Sequence, residues 1–119
     1  MALINDYPRK LDSNNTVTIP TSSSTSTIFH CQSGTLIGLV VPSTFSGTKL
    51  TVYSNTSLGY VLYKNATGTT IEISGIDNTI NAHYGLSTAD MIGISKLKLV
   101  SDVSQSGTDC DIILIFRPL

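Results

Sequence analysis

Four side chains in this sequence could ligate a soft metal or act as activated nucleophiles and bases: His30, Cys31, His83 and Cys110. A zinc site needs three or four such groups at tetrahedral distances. His30 and Cys31 are neighbours in a run with strand character, so their side chains point to opposite faces and cannot easily share an ion. No metal and no other cofactor is expected. Serines are abundant, and Asp77, Asp90, Asp102, Asp109 and Asp111 could orient a histidine. Yet no Gly-x-Ser-x-Gly elbow presents a serine, and the serines lie in tracts and turns. Asp109 and Asp111 flank Cys110, a spacing that solvates the start of a strand more simply than it pairs two carboxylates for glycoside chemistry. The expectation is a binding surface, not an enzyme.

The side chains suited to contact are aromatic. Tyr53, Tyr60 and Tyr63 cluster around one hairpin, and tyrosine combines a large apolar area with a polar tip. They could form a sugar-stacking or subunit-contact patch, or half of them could face the core. Tyr7, Arg9 and Lys10 sit on an N-terminal arm, residues 1–15, where Tyr7-Pro8 forces extended backbone. Such an arm either captures a neighbouring subunit or frays. Three Asn-x-Ser/Thr triplets, at Asn14, Asn55 and Asn65, mark exposed turns in a chain rich in these residues.

The elements that must hold these groups are strands. Thr16–Ile19, Ile28–Gln32, Leu36–Val41, Lys49–Ser54, Tyr60–Tyr63, Thr69–Ile73, Ser95–Val100 and Asp111–Arg117 are short β-branched or aromatic runs. Alternation puts Leu50, Val52, Ile71, Ile73, Leu97 and Leu99 inward, with Glu72, Lys96 and Lys98 in water. Leu36–Val41 and Asp111–Arg117 are apolar on both faces, which suits central strands covered twice, most simply by other copies of the chain. Asn55–Gly59 and Asn65–Gly68 read as turns. The tract Thr21–Thr27 fits a flexible link or an edge strand equally well. Ile76–His83 is ambiguous, and Ser87–Asp90 has the chemistry to cap one helical turn.

Length and charge narrow the class. The chain has 119 residues, 40% of them hydrophobic, enough for one domain with a real core (residues 16–119). Serine and threonine make up roughly a quarter of it, about twice the usual share. Net charge is −1 and the basic residues are scattered in sequence, so nucleic acid is not an expected partner. The longest apolar runs are strand-sized, so no membrane span is expected. The N-terminal MALINDYPRK lacks the apolar segment of an export signal, so the chain is expected to fold in cytoplasm with Cys31 and Cys110 as free thiols. With no helix to cross between parallel strands, the fold class is all-β: an antiparallel sandwich or barrel remains, and the two doubly apolar runs fit a β-sandwich of about eight strands.

Two stretches carry a resemblance. In Leu36–Gly68, LIGLVVPSTFSGTKLTVYSNTSLGYVLYKNATG, a strand ends at Pro42 and a loop carries Phe45. A strand through Leu50 and Val52 then ends at Ser54, and an aromatic-bearing strand with Val61 and Tyr63 leads to a turn at Gly68. Ile94–Leu119 adds a Leu-Lys-Leu strand, a polar loop and a final apolar strand ending Arg-Pro. Both segments resemble tailed-phage capsid decoration (cement) or head-fibre-like virion proteins. The resemblance implies a jelly-roll-like sandwich, a homotrimer, and the major capsid protein as partner. It also implies a place on the capsid exterior after synthesis in the host cytoplasm. A host-surface or glycan-binding module of a fibre or tail is the alternative, stacking sugars on tyrosines and bonding them through asparagines.

Overall fold

The computed structural model of the chain describes residues 15–31, 34–87, 94 and 96–118. Tyr7, Arg9, Lys10, Asn14 and residues 88–90 of the expected helical cap lie outside them. Nine strands and no helix are found among the described residues. They are β1 (Thr16–Ile19), β2 (Phe29–His30), β3 (Gly34–Val41), β4 (Leu50–Thr56), β5 (Gly59–Leu62), β6 (Glu72–Ile73), β7 (Ala82–Gly85), β8 (Lys96–Ser101) and β9 (Cys110–Pro118).

Every pairing is antiparallel, and the first strands pair with the last in reverse order: β1 with β9, β2 with β8, β3 with β7, and β4 with β5 and β6. The chain is thus one long hairpin rolled up on itself. Rolling adds β3 beside β9 and β4 beside β8. One sheet has the order β1-β9-β3-β7; the other runs β2-β8-β4-β5, with β6 also on β4. This is a jelly roll. The expected sandwich is present, with the short β6 as a ninth strand.

The core lies between the sheets. Val17, Leu39, Ile112 and Leu114 from one sheet meet Leu50, Val52, Leu97 and Leu99 from the other, with Ile19, Phe45 and Cys110 among them. In β8, and in β4 as far as Asn55, buried and half-buried residues alternate, as a sheet with one dry face requires. Phe29 stacks on Phe116 at 5.1 Å between ring centres, closing one end.

Several local readings are refined. The strand read as Lys49–Ser54 continues to Thr56, and the turn contracts to Ser57-Leu58. The Thr56 hydroxyl accepts the Leu58 N–H at 3.1 Å and donates to the Gly59 carbonyl at 3.0 Å, which closes the tighter hairpin. Ile71 and Ile73 are buried and Glu72 is exposed as expected, yet only Glu72–Ile73 forms a strand. A small excursion hairpin takes up the rest. Lys64 bridges Thr70, and the Asn65 side-chain oxygen accepts the N–H groups of Thr67 and Thr69, with Gly68 at φ 82°. The Ser/Thr tract is an edge, not a link. Ser26 N donates to the Leu99 carbonyl, its buried hydroxyl accepts the Leu99 N–H at 2.9 Å, and Ser101 N reaches the Ser24 carbonyl. Asn15, the last residue of the expected arm, already accepts the Leu114 N–H at 2.6 Å.

At one end of the sandwich, loops are stitched together by Gln105, which is 2% exposed. Its side-chain amide donates to the carbonyls of Thr44 and Thr108 at 2.6 and 3.0 Å, and its oxygen accepts the Ser46 N–H at 3.0 Å. Its backbone joins the β1–β2 loop, donating to Ser23 O and accepting from Ser22 N. Ser22 sits in the left-handed region at φ 72° and is held there by that bond.

Candidate functional site

The groups that could do covalent or metal chemistry are kept apart. His30 pairs with Lys96 on the outer face of the β2-β8-β4-β5 sheet. His83 pairs with Val40 on the outer face of the opposite sheet, its ring lying over Gly38, where an added Cβ would strike Nε2. Cys31 packs against the core while its neighbour His30 is exposed, so the two side chains diverge. Both thiols are free, and burial pushes Cys31 up to about 11. Burial first, and then the Asp111 charge, also raises Cys110 against a hydrogen bond with Thr44. Both are therefore protonated at neutral pH and poor nucleophiles. No group of three or more His, Cys, Asp or Glu gathers to hold a metal among the described residues.

What the fold does present is two broad outer faces. On the β1-β9-β3-β7 sheet, the outward positions in the middle of the two central strands are apolar as well as the inward ones, between Asp111 at one end and Thr35 and Arg117 at the other. Val40 stands opposite Ile113, and Gly38 opposite Ile115. Ile113 is 42% exposed, and Val40 and Ile115 are half-buried. A sheet with one wet face ordinarily alternates apolar with polar residues. Here the alternation fails on the two strands expected to be covered twice, and the β-branched stripe stays partly open to water.

The other outer face carries the tyrosines. Tyr53 on β4 lies between Lys98 on β8 and Leu62 on β5, and Asn55 lies opposite Tyr60. Lys98 Nζ stands 4.7 Å from the centre of the Tyr60 ring, a cation–π contact that reaches across β4. Tyr63 does not share this face; it packs against the core. Of the three clustered tyrosines, two are thus presented and one is structural. Lys98, read as simply solvated, is tied to Tyr60 instead. The alternation around Leu97 and Leu99 placed it outward, but only the β8-β4-β5 order brings the ring beneath it.

The described aspartates lie in loops and on β9 of the opposite sheet, where they serve as acceptors. Burial pushes Asp102 up, but the Thr48 N–H and hydroxyl and the Lys49 N–H outweigh it and hold the carboxyl below its ordinary range. The Thr21 N–H and hydroxyl do the same for Asp109, and the Thr79 hydroxyl and N–H for Asp77. A carboxyl whose folded value is depressed contributes stability above its unfolded value, and that contribution fades as pH falls through the folded one. Thermal midpoints should hold level above about pH 5 and drop below about pH 4. Asp102→Asn should make that acid limb shallower; an unchanged acid limb would refute the role given to the Asp102 clamp.

No family model, curated protein or solved structure matches this chain.

Proposed function

We propose that this chain is a structural protein of a tailed-phage virion, a decoration (cement) protein that docks on the outer capsid shell as a homotrimer and stabilises it. The observation that carries the mode of action is the open β-branched stripe of Val40, Ile113 and Ile115 on the outer side of β3 and β9. An apolar face of this kind gains free energy when another copy covers it. The resemblance of Leu36–Gly68 and Ile94–Leu119 to virion proteins supplies the particle. The jelly roll, an architecture common to capsid and lectin domains, is consistent with it.

Stabilisation then follows from mass action. A subunit that binds the assembled shell, and not its separated components, raises the free energy of taking the shell apart. The glycan-binding alternative draws on Tyr53, Tyr60 and Asn55 sharing one face. Against it, Lys98 already stands over one face of the Tyr60 ring, and Tyr63 is turned inward.

The test is binding to capsids that lack the protein. Purified chain mixed with them should cosediment and raise the temperature at which they release their genome. Failure to cosediment, or binding to host polysaccharide instead, would end the decoration reading.

A further inference from the structure

Every lysine among the described residues lies on one sheet or directly beside its strands. Lys96 and Lys98 project from β8, alternating with the buried Leu97 and Leu99. Lys49 precedes β4 and stands 3.9 Å from Glu72, the sheet's acidic residue. Lys64 opens the excursion hairpin, its ammonium 3.0 Å from the Thr70 hydroxyl. The described aspartates, Asp77, Asp102, Asp109 and Asp111, lie in loops or on β9 of the opposite sheet. Folding has therefore gathered the described lysines on and beside one sheet, with Glu72 among them and Asp102 at its end, while Arg117 lies on β9 of the other.

We propose that the outer face of the β2-β8-β4-β5 sheet docks a protein surface that presents carboxylates around an apolar centre. The inference rests on the decoration reading for the identity of that partner. The face has the matching anatomy. Tyr53 and Leu62 are opposed at its middle, Leu62 39% exposed, and Tyr60 and Lys98 close over the next row. Lysines surround this centre. Protein interfaces have this arrangement, with an apolar core enriched in tyrosine and a charged rim that sets orientation and encounter rate. The Lys98–Tyr60 contact already confines one ammonium, so less side-chain freedom is lost when a carboxylate arrives.

Nucleic acid fits the face less well. No arginine lies on this sheet among the described residues, Glu72 interrupts the positive charge, and Lys98 occupies a ring face on which a base would stack.

The experiment uses the whole chain and two probes of equal charge, poly-L-glutamate and single-stranded oligonucleotide, alongside the capsids described above. Wild type should bind poly-L-glutamate at about 50 mM salt and lose at least about tenfold in affinity by about 500 mM. Lys96→Glu/Lys98→Glu should abolish that binding. Lys96→Gln/Lys98→Gln, which removes charge without reversing it, should weaken it while the chain stays folded, with a midpoint lowered by no more than the loss of the Lys98–Tyr60 contact. On capsids, a carbodiimide that joins amines to carboxylates should link Lys96 or Lys98 to capsid acidic residues. Equal binding of poly-L-glutamate by the charge-reversed chain, or tighter binding of the oligonucleotide, would overturn the inference. Loss of capsid binding with poly-L-glutamate binding intact would instead remove the decoration reading and leave the face standing.

Discussion

Gln105→Leu should destabilise the chain by about 3 kcal/mol, lowering the thermal midpoint by roughly 10 °C. Leucine fills almost the same volume, so the loss is not a cavity effect. It is the loss of partners for the Ser46 N–H and the carbonyls of Thr44 and Thr108, which the glutamine amide satisfies. Leaving a buried polar group without its partner costs about 1–3 kcal/mol. The two carbonyls belong to exposed residues and can turn partly to water, which keeps the total below the sum of three such penalties. The Gln105 backbone bonds to Ser22 and Ser23 survive the substitution, so the β1–β2 loop should stay in place while the β3–β4 loop loosens. Denaturant unfolding and amide exchange across residues 42–49 measure both effects. A loss under about 1 kcal/mol, with the β3–β4 loop still protected, would contradict the role given to this side chain.

Gln105 also marks where sequence reasoning stops. Nothing in Asp-Val-Ser-Gln-Ser-Gly distinguishes it from any other loop glutamine, because its partners, Thr44 and Ser46, are about sixty positions away. The strands were legible for the opposite reason. Leu50, Val52, Leu97 and Leu99 announce their inward face through a local two-residue period, and all four are fully buried. Strand order was not legible, since it depends on which edges meet. That is why Lys98 read as a solvated lysine, and why four lysines scattered along the chain did not read as gathered on and beside one sheet. The Ser/Thr tract was undecided for a related reason. Ser26 has no sequence feature that reveals its hydroxyl will serve the Leu99 N–H inside an edge. The doubly apolar character of β3 and β9 was visible from the start. The fold turns it into a partly open stripe because, among the described residues, the core covers only its inner face.

That stripe carries the second large effect, expected from Ile113→Lys. Position 113 faces outward, opposite Thr16 and Val40, and a lysine there can keep its stem on the sheet and its ammonium in water. The isolated fold should therefore tolerate the change, with a thermal midpoint close to that of the equivalent monomer. Between copies the same ammonium would be stripped of water against apolar neighbours, a cost of several kcal/mol. At about 2 kcal/mol per contact or more, association weakens by roughly thirtyfold at each interface.

The mass in solution, measured by light scattering at tens of micromolar, tests this most directly. Wild type should scatter as three chains of 12.7 kDa, and Ile113→Lys as one. A wild type that scatters as a single chain, or a lysine variant that remains a trimer, would contradict the claim that this sheet face is built to be covered by its own kind.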